Sequence, residues 1–511
     1  MGNSPHAVSI HILDDDSLLN VFNLYRPFSL GEEDDNDAYL LGGKGGWVHG
    51  RWWYGLTHVC RRWRTIILGS AFYLGVSLVC TKGTPVADML ENLPSLPLVI
   101  DYSLNFGDII AEAVKGAILA LKKRDRVRRV RLDMPATSLR KLIVAMDEEY
   151  PILEHLIVIP RIKDTNTILM FRDTFQAPHL SHLTLSGFIL PIKSRLLTSA
   201  AGLVTLCLQM DPQSNYFYPS TLLRLLSFMP QLEALAITSY FAIPDHELVE
   251  RQLSHVPITH AGITLPNLRL FKFHGTSASL EVIICRIITP CLEKLCIRFL
   301  DQLTFSVPRL LQFIGAMEAL SFDSAKFKFS EWTVEVEAYT RGETEIRPFT
   351  ISIHRSWQVS SMAQIVVSIS QMLSVVEHLT LEYEVHTSTF EENEVHRIGW
   401  PRLLRSFSNV KTLTVAHGLV DGLSQYLQSE DGELASELLP ELQEIAYSGS
   451  GNSEDLFTSF IDACRDAGRP LTLVPTVVRH SPNPNRSSSL SLFAAPLTIS
   501  AASEAGIDLD T

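Results

Sequence analysis

The chain contains two closely similar stretches, Pro151-Ile-Leu-Glu-His-Leu-Ile-Val158 and Pro178-His-Leu-Ser-His-Leu-Thr-Leu185. In each stretch a leucine is followed by an apolar residue three positions later and by another two positions after that. The same pattern recurs at Val127/Val130/Leu132, Leu203/Leu206/Leu208, Leu232/Leu235/Ile237, Leu268/Phe271/Phe273, Leu292/Leu295/Ile297, Met317/Leu320/Phe322, Pro348/Ile351/Ile353, Val376/Leu379/Leu381, Val410/Leu413/Val415 and Leu442/Ile445/Tyr447. Six copies carry a proline two positions ahead, and the copies follow one another at intervals of about 29 residues.

This interval lies at the upper end of the range for leucine-rich repeats, in which each unit supplies a short strand and a return helix or irregular segment. One such unit cannot bury its apolar edge alone, whereas stacked units share a continuous core. The sequence therefore predicts an α/β fold over residues 95–470, built as an irregular solenoid of short parallel strands and helices.

Two amphipathic helices are predicted ahead of the repeats. Leu18, Val21, Phe22 and Tyr25 follow helical spacing behind a run of aspartates, and the stretch from Trp52 to Leu68 returns to that spacing. An acidic, glycine-rich loop at about residues 29–52 separates them. Together they form a predicted helical module over residues 10–78.

The composition narrows the classes of protein and partner. The chain has 511 residues, 46% of them hydrophobic and 19% charged, with a net charge of −13. This balance excludes a wholly disordered chain and disfavours nucleic acid as the main partner, because phosphates are held chiefly by lysine and arginine. The basic run from Lys122 to Arg131 fits a repeat strand, so we interpret its charges as the solvated side of that strand.

No apolar stretch is long enough for a membrane span, and the first thirty residues lack a secretory signal. We therefore expect an intracellular protein, cytoplasmic or nuclear, with no membrane partner. After Pro470 the chain becomes rich in proline, serine and alanine, and residues 475–511 are predicted to be a disordered tail.

Candidate sites for metals and catalysis are weak. Cys285, Cys291 and Cys296 lie near His274, but they lack the paired two-residue gaps of structural zinc sites. Gly449-Ser450-Gly451 lacks the outer glycine of a nucleophile elbow. The sequence predicts no enzyme activity, no cofactor and no bound metal.

A row of polar residues recurs at the start of the repeat strands. These residues are predicted to share the concave face of the solenoid and to contact a protein substrate, although a merely solvated strand face would also be polar. The set comprises Glu154, His155, His182, Glu233, Glu293, Glu377 and His378.

The N-terminal module resembles a known family. Leu13-Asp-Asp-Asp-Ser-Leu-Leu-Asn-Val-Phe and Leu56-Thr-His-Val-Cys-Arg-Arg-Trp-Arg-Thr-Ile look like the two halves of an F-box. An F-box followed by irregular leucine-rich repeats is similar to the large fungal F-box families. The resemblance implies that the module docks a Skp-type adaptor, and through it a cullin, while the repeats hold the substrate of a ubiquitin ligase.

By position, the resemblance assigns adaptor contacts to Leu13, Leu18, Leu19, Val21 and Phe22 in the first half, and to Val59, Cys60, Trp63 and Ile66 in the second. Asp14 stands where the family usually has proline, and the connecting loop is longer than usual. Two alternatives stay open. These residues could simply hold the helices together, and the chain could be a non-catalytic interaction scaffold with a degenerate F-box.

Overall fold

The computed structural model describes residues 12–25, 52–103, 111–161, 169–188, 194–210, 219–239, 262–300, 305, 307–315, 322–330, 333–341, 348–354, 358–383, 400, 402–416, 419–420, 423, 438–448 and 457–475. The predicted loop between the N-terminal helices, apart from Trp52, and the predicted tail beyond residue 475 lie outside these ranges.

The described helices are short. They are α1 (Asp15–Tyr25), α2 (Trp52–Thr57), α3 (Arg61–Gly69), α4 (Val86–Asn92), α5 (Ala111–Leu121), α6 (Ala136–Ala145), α7 (Arg195–Ser199), α8 (Pro219–Leu226), α9 (Ser277–Ile284), α10 (Pro308–Gly315), α11 (Gln358–Ser368), α12 (Ser370–Leu373) and α13 (Thr458–Asp466). The predicted second N-terminal helix is thus two helices, α2 and α3, which a break at residues 58–60 separates.

The described strands are β1 (Leu78–Cys80), β2 (Leu98–Ser103), β3 (Val127–Met134), β4 (His155–Pro160), β5 (His182–Ser186), β6 (Thr205–Met210), β7 (Ala234–Ser239), β8 (Ile263–Thr264), β9 (Leu270–Gly275), β10 (Ile287–Ile288), β11 (Lys294–Phe299), β12 (Ser324–Phe329), β13 (Thr333–Tyr339), β14 (Phe349–His354), β15 (His378–Tyr383), β16 (Thr412–Ala416), β17 (Glu444–Ser448) and β18 (Thr472–Pro475).

Sixteen of these strands form one sheet in the order β1-β2-β3-β4-β5-β6-β7-β9-β11-β14-β13-β12-β15-β16-β17-β18, and β8 pairs with β10 separately. All pairings in the large sheet are parallel except those of β13. The fold is therefore mixed α/β with a large, mostly parallel sheet, as the sequence predicts at that level. The sheet begins at Leu78, before the predicted boundary at residue 95, because β1 pairs with β2.

In ten of the twelve copies, the second position of the apolar pattern lies in one row across the sheet. The copy Pro348/Ile351/Ile353 is out of register, because Ile351 pairs with Ile297 and Phe349 pairs with Leu295. The row is formed by residues paired directly on neighbouring strands: Val130, Leu156, Leu183, Leu206, Leu235, Phe271 and Leu295. The row continues through Leu379, Leu413 and Ile445 on the later strands. All are buried in one hydrophobic core, since residues two apart on a strand lie on the same face.

The pattern fails at Met317/Leu320/Phe322. Met317 and Leu320 lie outside the described residues, and the strand runs from Ser324 to Phe329. There Phe327 and Phe329 are buried while Lys326 and Lys328 lie on the other face. This strand belongs to an antiparallel meander, β12-β13-β14, that a parallel repeat pattern does not predict. Its last strand, β14, pairs with β11, and its first, β12, pairs with β15.

The N-terminal helices share the core of the sheet. Leu18 of α1, Trp53 of α2 and Ile67 of α3 are buried in the same cluster as the repeat residues. The guanidinium of Arg128, at the start of β3, also lies 5.0 Å from the ring centroid of Phe72, just after α3. The helical module is therefore packed against the sheet and is not a separately cored unit.

Candidate functional site

The two halves of the N-terminal module meet through consecutive residues of the Arg-Arg-Trp sequence. Arg62 Nε and Nη2 donate to Asp15 Oδ1 at 2.8 and 2.6 Å, and Nη2 also donates to the carbonyl oxygen of Leu13 at 2.7 Å. The Trp63 ring packs edge-on against Phe22, with ring centroids 4.9 Å apart. These contacts fix α1 against α3.

Asp14 caps the first helix. Its Oδ1 accepts a hydrogen bond from the backbone N–H of Ser17 at 2.6 Å, and its carbonyl accepts the first helical bond, from Leu18. Hydrogen bonds from the backbone and the side chain of Ser17 hold the pKa of the Asp14 carboxyl below its ordinary value. An aspartate is among the preferred residues at this position. An aspartate at this position is therefore compatible with the start of α1.

The residues assigned to adaptor contacts divide into three groups by burial. Leu18 and Phe22 are 0% and 1% exposed, so in this conformation they hold the helices together and offer no surface to a partner. Leu19, Cys60, Trp63 and Ile66 are half-buried. Leu13, Val21 and Val59 are exposed, the last two by 42% and 58%.

Other large apolar side chains of the module are exposed as well. We use the name N-terminal apolar surface for the exposed apolar residues on and beside α1 and α2, which are Leu13, Val21 and Val59 together with Ile12, Leu24, Tyr25 and Tyr54. Single exposed apolar residues are ordinary, whereas several on one small module are typical of an interaction site.

The face of the sheet opposite the core row carries the predicted histidines. We call it the polar face. Arg129, His155 and His182 are paired in register on β3, β4 and β5. The two imidazoles stack with ring centroids 4.1 Å apart and planes 10° from parallel, and His182 Nδ1 lies 2.8 Å from Ser181 Oγ.

Both stacked histidines favour the neutral form. Burial, the positive charge of Arg129 and the neighbouring His182 lower the pKa of His155 to about 2. Burial and Arg129 also lower the pKa of His182, against the opposing influence of Glu154 and Glu233. A cation therefore lies beside two imidazoles that stay uncharged at neutral pH.

His378 occupies the same row of the polar face but lies many strands away. It pairs in register with Ser324 and Thr412, and its Nδ1 lies 3.3 Å from Arg341 Nη1. The sequence correctly places the three histidines in one register, but only His155 and His182 are in contact.

Each predicted glutamate immediately precedes a strand, and three are ion-paired. The distances are 2.8 Å for Glu154–Arg128, 3.2 Å for Glu293–Arg269 and 2.8 Å for Glu377–Lys411. Glu233 is exposed. In the three ion-paired cases the glutamate lies beside a basic residue at the start of a neighbouring strand: Arg269 and Lys411 immediately precede their strands, and Arg128 is the second residue of β3. This supports a role in holding the strand starts together.

Sequence reasoning assigned Arg129 and Arg131 to the solvated side of a strand, although Arg131 is in fact buried, and it missed the other basic residues of the polar face. The basic residues on strands β3 to β11 whose side chains lie opposite the core are Arg129, Arg131, Lys272, Lys294 and Arg298. The signal was the two-residue period inside each strand, which assigns alternate side chains to one face. Between the outer members the same face has small or apolar residues: Cys207, Ala234, Ala236 and Leu270.

Within the described ranges, no three histidine, cysteine, aspartate or glutamate side chains are grouped so that they could hold a metal ion. All seven cysteines are described, and none forms a disulfide. None of the described helices combines the length and apolar character needed to cross a bilayer.

Comparison with known proteins adds no relative: no protein-family model matches the chain, and no curated protein matches it.

Proposed function

We propose that this chain is a substrate-recognition subunit of a Skp/cullin/F-box ubiquitin ligase. Helices α1 to α3 act as the F-box and dock a Skp-type adaptor, and the sheet with its helices acts as an irregular leucine-rich-repeat solenoid that holds a protein substrate. The chain contributes proximity and orientation, and ubiquitin transfer belongs to partner subunits.

The N-terminal apolar surface carries this proposal. Exposed apolar side chains lie on α1 and α2 and on the residues beside them, and α1 is fixed against α3 by the contact of Phe22 with Trp63 and by the Arg62–Asp15 hydrogen bonds. A rigid helical surface with a few apolar anchors is a common way to bind a partner helix. The parallel strands that recur at intervals of about 29 residues support the solenoid part of the proposal.

Capture by a purified Skp-type adaptor tests the docking step. Val21→Glu combined with Val59→Glu places two charges on the N-terminal apolar surface, and we expect the variant to lose adaptor capture by more than about tenfold. The matched control is Val144→Glu combined with Val367→Glu, because both valines are 50% exposed on helices of the sheet region. The control should capture the adaptor as the wild type does.

Wild-type protein that fails to capture any Skp-type adaptor would contradict the ligase proposal. If it still bound other proteins through the sheet, the alternative of an interaction scaffold with a degenerate F-box would be favoured. Equal loss in the test and control variants would show that added charge, and not the N-terminal apolar surface, determines capture.

A further inference from the structure

Charge is distributed unevenly along the polar face. From β2 to β11 this face carries five basic side chains, at Arg129, Arg131, Lys272, Lys294 and Arg298, against Asp101 and Asp133. Asp133 is itself bound by Arg161, whose Nε and Nη2 donate at 2.5 and 2.8 Å. This part of the face is therefore net positive in a chain whose net charge is −13.

The later part of the same face has the opposite sign. On strands β12 to β17 its charged members are two lysines and four glutamates: Lys326, Lys328, Glu335, Glu337, Glu382 and Glu444. Lys326 pairs with Glu382 and Lys328 with Glu337, both at 2.6 Å. An acidic partner would therefore be attracted to the first part of the face and repelled from the second.

In the middle of the basic part, the side chains of the polar face are mostly small. Cys207 and Ala236 are covered by their neighbours, and Ala234 and Leu270 are half-buried beside them. Small side chains here let an extended chain approach the sheet between His182 on one side and Lys272 on the other. Seven strands are neighbours in this part of the sheet: β3, β4, β5, β6, β7, β9 and β11. At the usual strand separation they span about 29 Å, which is the length of about nine extended residues.

We infer that the polar face between β3 and β11 binds an extended acidic segment of a partner protein. This inference rests on the proposed function, because it takes the bound segment to be part of the substrate and gives the chemical class of that segment. Carboxylate or phosphate groups on the segment would contact Arg129, Lys272 and Arg298, and a small apolar residue would lie over Ala236.

A protein segment fits this face better than a nucleic acid. Described positions of the polar face on strands β3 to β11 contain no phenylalanine, tyrosine or tryptophan, the side chains that usually stack on unpaired bases. The glutamates that precede the strands, such as Glu233 and Glu293, would also oppose a continuous phosphate backbone. Separate acidic side chains can avoid these glutamates.

Fluorescence anisotropy with the full chain tests the inference. The probes are labelled peptides of about ten residues in which a central leucine is flanked by glutamates, by phosphoserines, by glutamines or by lysines, and an oligouridylate of about ten nucleotides. We expect the two acidic peptides to bind at least about tenfold more tightly than the glutamine peptide, and the affinity to fall as salt is raised. The difference between glutamate and phosphoserine distinguishes carboxylate from phosphate recognition.

Two variants locate the binding. Arg129→Gln, Lys272→Gln and Arg298→Gln together should weaken binding of the acidic peptide by about tenfold or more. The matched control, Lys115→Gln, Arg140→Gln and Lys141→Gln, removes the same charge from exposed positions on α5 and α6 and should change affinity less than about twofold. Arg298→Glu alone is the second test, because Arg298 is exposed and its replacement leaves the core intact.

Three results would overturn the inference: equal weakening by the test and control variants, no preference for acidic over neutral peptides, or tighter binding of the oligouridylate. Measuring adaptor capture by the same variants distinguishes failure of this inference from failure of the proposed function. Captured adaptor without acidic-peptide binding removes only the substrate class, and acidic-peptide binding without adaptor capture removes only the ligase assignment.

Discussion

At the level of single residues, Arg62 links the two N-terminal sequence segments. Its guanidinium contacts the side chain of Asp15 and the carbonyl of Leu13, while the next residue, Trp63, contacts Phe22. Helical spacing correctly predicts that Phe22 and Val21 belong to an amphipathic helix. It does not predict that Phe22 faces Trp63 and Val21 faces solvent, because that choice depends on how α3 lies against α1.

The stacked pair His155 and His182 predicts a loss of stability in mild acid. The pKa of His155 is about 2 in the folded chain and about 6.5 in an unfolded one. Below about pH 6.5 the unfolded chain therefore binds a proton that the folded chain does not, and the free energy of unfolding decreases as pH falls. Between about pH 7 and pH 5 we expect His155 to account for a loss of about 1 to 2 kcal/mol.

Urea midpoints of wild type and His155→Gln at these two pH values check this prediction. The variant should lose less stability between them than the wild type, because the glutamine does not titrate. His179→Gln is the control, since His179 is exposed and lies close by in sequence. An unchanged pH dependence in His155→Gln would show that His155 does not resist protonation in the folded chain.

At the level of elements, the sequence predicts the repeat strands well and the meander poorly. Strands such as β4 and β5 are predicted by a leucine two residues ahead of the strand. These leucines, Leu153 and Leu180, are buried. Strands β12 and β13 instead follow a two-residue alternation with charged residues on the polar face. The two strands pair with each other in antiparallel fashion, with three residues between them in sequence, and a repeat template with a fixed interval contains no such pair.

The meander contains a buried charge whose partner can be tested. Glu337 has a side chain only 3% exposed, and its carboxylate accepts a hydrogen bond from Lys328 Nζ at 2.6 Å. Removal of one member of a buried ion pair leaves the other charge poorly compensated, which is strongly destabilising. Because Lys328 is itself partly exposed, we expect Lys328→Met to lower the free energy of unfolding by about 2 kcal/mol.

Denaturant unfolding of three variants measures this effect. Lys326→Met removes a more exposed pair, with Glu382, and should cost less than about 1 kcal/mol. Lys328→Met combined with Glu337→Gln should recover part of the loss, since the buried carboxylate is then replaced by a neutral amide. If Lys328→Met and Lys326→Met were equally destabilising, burial of Glu337 would not determine the energetics of the meander.

At the level of the whole molecule, one hydrophobic core runs from Leu18 in α1 to Cys464 in α13. The sequence predicts a helical module and a repeat array as separate units, because composition and spacing change between them. Two short helices form too small a core to be stable alone, so the sequence does indicate that the module packs on the residues that follow it. It does not predict which residues share the core, since Leu18 and Ile67 lie in one cluster with residues that are distant in sequence. The N-terminal helices thus bury apolar side chains in the same core as the sheet.

This arrangement predicts that the two ends of the chain differ in their importance for folding. A variant that lacks residues 1–77 loses the buried side chains of Leu18, Phe22, Trp53 and Ile67, so their contact surface on the array would be exposed to water. We expect a lower unfolding temperature, increased binding of a hydrophobic dye and a tendency to aggregate. A variant that lacks residues 476–511, which the sequence predicts to be disordered, should unfold at the temperature of the full chain. If the N-terminal deletion had no effect on the unfolding temperature, the helices would be an independent module whose contacts with the sheet add no stability.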